Sequence, residues 1–185
     1  MGELPRNHFG AILADPPWRF RTWTETNQKK SASRHYDLMT LDQIKALPVA
    51  SCAADDCALF MWCVNPMLPH ALEVIDAWGF KFKTVAFTWA KRSTTGRAWH
   101  TGLGYWTRQN TEQCLLATRG KPKRIARNVP QLVVAPRREH SRKPDDIAPY
   151  VERIVSGPYL ELFARQQRPG WTAWGNQTDK FEACA

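Results

Sequence analysis

Short apolar runs alternate along the chain with amphipathic stretches of helical spacing. Three such stretches predict helices: one after Thr40, one between Pro69 and Gly79, and one between Pro144 and Gly157. Strands alternating with helices predict an α/β fold, a mixed sheet of about seven strands with helices on both faces. The apolar runs of strand length are residues 11–14, 57–64, 83–90, 112–118, 131–135, 159–164 and 171–174.

Local signals indicate where the helices begin and end. Thr40 and Gln43 have the form of a capping box, and Pro48 ends that helix. Pro144 is expected in the first turn of the third helix, because proline is tolerated there. Pro149 lies within the same helix and should kink it or move its start.

The composition is typical of a globular protein. The 185 residues are 43% hydrophobic and 23% charged, and we interpret residues 1–185 as one domain. The apolar stretches are too short to cross a bilayer and the first ten residues resemble no signal peptide, so we expect a soluble, cytoplasmic protein without membrane contact. Five cysteines without a Cys-x-x-Cys pair support neither a disulfide framework nor a metal site.

The charge is strongly positive, with 26 Lys and Arg against 17 Asp and Glu. The excess lies in segments 91–108 and 119–143, which predicts a footprint for a polyanion. Neutralising part of the second segment is expected to weaken binding to every nucleic-acid sequence and to flatten its salt dependence. The residues to neutralise are Arg119, Lys121, Lys123 and Arg124.

The long loop 91–109 interleaves cations with aromatic rings. This mixture predicts a clamp that combines charge with base stacking; a mobile lid with solvated charges is the alternative. The candidate substrate-binding residues of the loop are Lys91, Arg92, Arg97, Trp99, Tyr105, Trp106 and Arg108.

The first apolar strand ends in Asp15-Pro16-Pro17-Trp18, a sequence suited to a ligand site. Ligands of α/β proteins bind beyond the carboxyl ends of strands. The prolines stiffen the turn and lack N–H donors, so the Asp15 carboxylate and the Pro16 carbonyl remain as acceptors, while Trp18 can cover a flat ring. Such a turn predicts a receptor for a planar molecule with an amino group; a plain strand-ending turn is the alternative.

The same turn suits methyl transfer to an adenine amine, which is a poor nucleophile because its lone pair is delocalised into the ring. If Asp15 and the Pro16 carbonyl accept both amine protons, the nitrogen moves toward tetrahedral geometry and its lone pair points at an electrophilic methyl group. The reaction then needs neither a metal nor a covalent intermediate.

Residues 15–18 resemble the catalytic motif of the MT-A branch of adenine amino-group methyltransferases, which includes mRNA 6-methyladenine writers and bacterial and phage relatives. Three further parts of the chain resemble that branch in the same order: residues 35–40, residues 111–115, and the series 141–146, 161–165 and 174–177. The resemblance spans about residues 9–178. It implies a Rossmann-like methyltransferase fold in permuted order, with the catalytic strand first and the cofactor strand near the C-terminus.

The resemblance also implies S-adenosylmethionine as cofactor. Asp15 would lie beside the target amine and the methionyl amine, and Lys143 would pair with the methionyl carboxylate. Glu161 and Arg165 would hold the ribose side, and Tyr36 would form a wall of the target-base pocket. The candidate cofactor-binding residues are Asp15, Lys143, Glu161, Leu162, Phe163, Arg165, Gln167, Asn176 and Gln177.

The implied activity is the formation of 6-methyladenine in nucleic acid. The bacterial and phage relatives favour DNA as substrate and the bacterial cytoplasm as location. The same chemistry on RNA, and a non-catalytic nucleic-acid-binding subunit, are the alternatives; a homodimer and a complex with a partner subunit are both open. Gln167-Arg168 departs from the His-Asn pair usual in the branch.

Overall fold

The structure is a computed structural model that describes residues 2–6, 8–18, 38–104, 106–139 and 141–181. Within these residues the chain forms seven strands and three α-helices. The strands are β1 (Phe9–Ala14), β2 (Ala53–Cys63), β3 (Lys81–Arg92), β4 (Thr111–Arg119), β5 (Leu132–Pro136), β6 (Tyr159–Leu162) and β7 (Trp171–Trp174). The helices are α1 (Leu41–Lys45), α2 (Leu68–Ala77) and α3 (Ile147–Ile154). None of the helices in these ranges is long and apolar enough to span a membrane.

The strands form one sheet in the order β5-β3-β4-β2-β1-β6-β7. β4 is antiparallel to both of its neighbours, and the other neighbouring pairs are parallel. The carboxyl ends of the parallel strands therefore meet at one edge of the sheet, together with the start of β4. We call this the carboxyl edge and the opposite end of the sheet the amino edge.

β1 lies inside the sheet between β2 and β6, and its side chains alternate between two cores. Ile12 packs in the core that contains α1 and α2, whereas Leu13 packs in the core that contains α3. The predicted mixed sheet of seven strands with helices on both faces is thus confirmed. The predicted permutation is confirmed as well, because β1 comes first in the chain and pairs with β6 near the C-terminus.

The ends of the helices agree with the local signals in one case and differ in another. The Thr40 hydroxyl accepts a hydrogen bond from the Gln43 N–H (3.2 Å), and the Gln43 side chain accepts one from the Thr40 N–H (2.9 Å), so the capping box is confirmed. The expectation that Pro144 lies in the first turn of α3 is wrong. The helix begins at Ile147, which places Pro149 in the first turn, where its missing N–H breaks no helical hydrogen bond.

The two basic segments adjoin β4 at opposite ends, and the second then returns to the carboxyl edge, where it ends at Lys143. Arg119 is paired with Cys57 at the amino edge, and the guanidinium of Arg119 donates to the Ala50 carbonyl (2.7 Å). Loop 93–110, by contrast, enters β4 at the carboxyl edge. The single footprint expected from the sequence is therefore divided between the two edges.

Candidate functional site

A cleft opens at the carboxyl edge, beyond the ends of β1 and β6. It encloses about 490 Å³, a volume that includes space open to solvent. Trp62 of β2, the segment before α3 and the segment after β6 complete its walls. Five of the predicted cofactor-binding residues line it: Asp15, Lys143, Glu161, Phe163 and Arg165.

Four charged side chains form a continuous chain of ion pairs beside the cleft. The Lys143 ammonium donates to both oxygens of Asp15 (2.9 and 2.8 Å) and lies 3.0 Å from Oε1 of Glu112. The other Glu112 oxygen lies 2.7 Å from the Lys91 ammonium. Lys143 and Glu112 are nearly buried, with side chains 11% and 9% exposed, so these contacts are weakly screened by water. The charges of the two carboxylates and the two ammonium groups thus balance, and the net charge of the cluster is zero.

The pKa values follow from burial and from these partners. Burial raises the pKa of Asp15 above its usual value, against the lowering effect of Lys143. Burial acts in the same direction on Glu112, but the ammonium groups of Lys143 and Lys91 prevail and lower its pKa to about 2. Burial would lower the pKa of Lys143, yet Asp15 and Glu112 raise it. At neutral pH Lys143 therefore stays charged, and Asp15 is the carboxylate of the cluster that takes up a proton more readily.

The Asp15-Pro16-Pro17-Trp18 turn is fixed by its own hydrogen bonds. The Trp18 N–H donates to the Pro16 carbonyl (2.8 Å), which leaves that oxygen one free lone pair for a ligand. The Trp18 indole is 5% exposed and donates to the Trp62 carbonyl (3.1 Å). The indole is placed in the core, where it supports the turn, and not over the cleft as a cover for a flat ring.

Glu161 has an ion-pair partner that the sequence analysis missed. The Arg168 guanidinium donates to Glu161 (3.0 Å), while burial raises the pKa of that carboxyl group. Gln166 and Arg168 line the cleft, whereas Gln167 between them is exposed. The sequence did contain a signal for Arg168, because Gln167-Arg168 departs from the His-Asn pair of the branch. That departure was used to select Gln167, whereas Arg168 is the residue that lines the cleft.

The remaining cofactor candidates lie outside the residues that line the cleft. Leu162 is buried in the core with α1 and α2, and only its carbonyl approaches Asp15, whose N–H lies 3.4 Å away. Asn176 is exposed, and the Gln177 side chain accepts a hydrogen bond from Lys180 (3.3 Å).

Loop 93–110 brings aromatic and basic side chains to the carboxyl edge. The Arg92 guanidinium lies 4.2 Å from the centre of the Trp99 ring, and Trp106 is fully exposed. Arg97 and Arg108 are exposed as well. Of the predicted substrate-binding residues, Tyr36 and Tyr105 lie outside the described residues.

Glu112 is the other residue that the sequence analysis left without a role. The available signal was a charged residue at the start of an apolar strand, which is costly to bury without a partner. Its two lysine partners are supplied by the end of β3 and by the segment before α3.

Comparison with known proteins supplies independent information. Residues 9–177 match the family model MT-A70. The chain is 35% identical to the type II methyltransferase M.MunI of Mycoplasma sp. over 191 aligned residues, which cover 94% of this chain and 79% of that protein. It is 33% identical to an MT-A70-like N(6)-adenosine-methyltransferase of Arabidopsis thaliana and 29% identical to the N(6)-adenosine-methyltransferase catalytic subunit METTL3 of Homo sapiens. These two alignments cover more than nine-tenths of this chain but only 24% and 28% of the relatives.

Proposed function

The chain belongs to the MT-A70 family, and from this membership and the geometry of the cleft we propose that it transfers a methyl group from S-adenosylmethionine to the exocyclic amine of adenine in DNA. Residues 1–185 form a single methyltransferase domain in this proposal. The fold is the Rossmann-like fold of such methyltransferases. The observation that carries the proposal is Asp15 at the end of a central strand, held by Lys143 in the wall of the cleft. Similarity to a type II methyltransferase over most of both chains supports DNA as the substrate.

The charges in the cleft fit the methionyl part of the cofactor, which is a zwitterion. Asp15 can pair with its ammonium and Lys143 with its carboxylate, so that one buried ion pair is replaced by two. Glu112 keeps Lys143 compensated from the other side. Arg142 also lines the cleft, and its Nε is buried without a hydrogen-bond partner among the described residues, which leaves a donor for an anionic ligand. Glu161, at the end of β6, is suited to accept the ribose hydroxyls.

S-adenosylmethionine supplies an electrophilic methyl group on a positively charged sulfur. The Asp15 carboxylate and the free lone pair of the Pro16 carbonyl accept the two protons of the adenine amine and orient its nitrogen. With the cofactor bound, its methyl group would pass from sulfur to this nitrogen as the carbon–sulfur bond breaks, and Asp15 would take up the surplus amine proton. Burial raises the pKa of Asp15 and so makes it a better proton acceptor than an exposed carboxylate. The two prolines hold both acceptors in place before the reaction.

The exposed rings and cations of loop 93–110 support nucleic acid as the substrate. Trp99 and Trp106 offer stacking surfaces beside the carboxyl edge, where each stacked base contributes about 1–3 kcal/mol. Arg97 and Arg108 are placed to contact phosphates.

Asp15→Asn tests the mechanism, because it keeps the shape of the side chain and removes its charge. We expect the transfer of radiolabelled methyl groups to adenine-containing DNA to fall by at least about a hundredfold, with the product identified by mass spectrometry of the nucleosides. The exposed Asp76→Asn is the matched control and should keep full activity. Full activity of Asp15→Asn would refute the mechanism.

RNA oligonucleotides of the same sequence decide between the two substrates. We expect faster transfer to DNA, and faster transfer to RNA would overturn that part of the proposal. The wild-type chain should bind S-adenosylmethionine in calorimetry and transfer its methyl group. If it does neither, a non-catalytic nucleic-acid-binding subunit would be favoured instead.

A further inference from the structure

Five cations lie at the end of β4 and on the connection that follows it, at the end of the sheet opposite the cleft. Glu112 beside the cleft and Arg119 are seven residues apart on the same strand, which corresponds to about 24 Å at about 3.4 Å per residue. We call these five cations the back patch: Arg119, Lys121, Lys123, Arg124 and Arg127.

The backbone of the back patch is anchored to the fold. The Lys121 N–H donates to the Asp56 carboxylate (2.7 Å), and the N–H groups of Ile125 and Ala126 donate to carbonyls at the C-terminal end of α3 (2.8 and 3.0 Å). The side chains of Lys121, Lys123, Arg124 and Arg127 are nevertheless exposed. The patch is therefore a fixed surface of positive charge and does not behave as a basic tail.

The surroundings add to the positive charge of the patch. Lys81 and Lys83 at the start of β3 are exposed, and Lys81 pairs with Thr118 next to Arg119. The carboxylates on the adjoining start of β2 are those of Asp55 and Asp56, and the second already accepts the Lys121 N–H. The charges of Glu152 and Arg153, near the end of α3, are opposite and sum to zero. Lys81 and Lys83 thus add two cations beside the five of the back patch, against the two carboxylates of β2.

We propose that the back patch binds the phosphate backbone of the nucleic acid at nucleotides beyond the target base. The inference rests on the proposed function, since it requires a nucleic-acid substrate. Contacts between cations and phosphates are independent of sequence and strengthen binding through the release of counterions. Exposed lysine and arginine side chains on an anchored backbone suit contacts with phosphates, which position a protein on nucleic acid without reading its bases.

The course of the chain indicates how one nucleic acid reaches both edges. The connection leads from the back patch into β5, which is the outer strand on that side of the sheet. β5 ends at the carboxyl edge, where Arg92 pairs with Pro136 and the Arg92 carbonyl accepts the Arg137 N–H (3.0 Å). Cations therefore lie at both ends of this side. The gap of about 24 Å corresponds to about seven nucleotides at about 3.4 Å each.

The length of the nucleic acid provides the test. DNA of about 7 nucleotides with the target adenine in the middle reaches only about 10 Å to either side, whereas DNA of about 24 nucleotides reaches the back patch. We expect Lys123→Gln/Arg124→Gln to weaken binding of the long DNA at least about tenfold in fluorescence anisotropy and to lower its salt slope by about 2. Binding and methylation of the short DNA, and S-adenosylmethionine binding by calorimetry, should not change.

The matched control removes the same charge elsewhere. Arg6→Gln/Lys45→Gln changes two cations that do not belong to the back patch, and Lys45 is held by Glu73 (3.1 Å) on the face of α1 and α2. Three results would overturn the inference. The first is an equal loss of affinity for long DNA in both double variants, and the second is an equal loss of affinity for short and long DNA in Lys123→Gln/Arg124→Gln. The third is a wild type that binds long DNA no more tightly than short DNA. In each of these cases methylation of the short DNA would still support the proposed function, whereas its absence from the wild type would remove that function instead.

Discussion

Lys143→Met is the most direct test of the charged cluster in the cleft. The substitution removes the ammonium group that contacts both oxygens of Asp15 (2.9 and 2.8 Å) and one oxygen of Glu112 (3.0 Å). Glu112 retains Lys91 at 2.7 Å. The Asp15 carboxylate therefore bears most of the loss, because a buried charge without its partner is strongly destabilising.

The magnitude of the loss follows from the titration of Asp15. Burial already raises its pKa above the ordinary value of 3.8, and the pKa rises further once Lys143 is absent. The carboxylate can avoid the penalty by taking up a proton, which at pH 7 costs about 1.4 kcal/mol for each pH unit above 3.8. The contribution of Asp15 to the loss is therefore at most about 4 kcal/mol at pH 7 and about 2 kcal/mol at pH 5. The folded variant binds this proton more tightly than the unfolded chain, so its deficit decreases as the pH falls.

Urea unfolding at pH 7 and pH 5 measures these differences. We expect Lys143→Met to lose more unfolding free energy at pH 7 than at pH 5, and the double variant Asp15→Asn/Lys143→Met to recover most of the loss at pH 7. A loss that is the same at both pH values, or a double variant no more stable than Lys143→Met, would refute the reasoning.

Three further predictions concern other parts of the fold. The pKa of Glu112 is about 2, against 4.5 for an ordinary glutamate, so the wild type should lose about 3 kcal/mol as the pH falls from about 4.5 to 2, and Glu112→Gln should lack this loss in an acid titration followed by circular dichroism. Thr40→Ala breaks the capping box and should cost about 1 kcal/mol in urea unfolding, whereas Thr40→Ser should cost little. Gly175→Ala places a Cβ 2.5 Å from the Ala164 carbonyl oxygen and should cost about 1–3 kcal/mol. Gly2→Ala, with no atom within 4 Å of the new Cβ, should be neutral in the same assay.

The elements that could be predicted from the sequence are those with short-range signals. β1 is an apolar run that ends just before Asp15 and the two prolines, and the helix after Thr40 has its capping residues within four positions. Gly79, expected beyond the end of the second helix, has a φ of +79° in the structure, a conformation that glycine adopts at little cost. In these cases each signal and the structure it specifies lie in the same few residues.

The features that escaped prediction depend on contacts between distant parts of the chain. Glu112 acquires its partners only because the reversed direction of β4 brings its first residues to the carboxyl edge, next to Lys91 and Lys143. The same reversal moves Arg119 to the other end of the sheet, although the two basic segments are close in sequence. Neither the direction of strand pairing nor the order of strands in the sheet is encoded in a local pattern. Basic residues that are close in sequence therefore did not form one surface.

The reversed direction of β4 also has a consequence for the evolution and engineering of the chain. Loop 93–110 enters this strand and the connection 120–131 leaves it, with nine strand residues between them. Because β4 is paired on both sides, a change in the length of loop 93–110 does not move the connection 120–131, and the reverse also holds. Insertions, deletions and grafted segments in loop 93–110 can therefore vary what is presented at the mouth of the cleft while the other end of the sheet keeps its shape. We therefore expect loop 93–110 to tolerate variation without loss of the fold, and a library of variants would begin there.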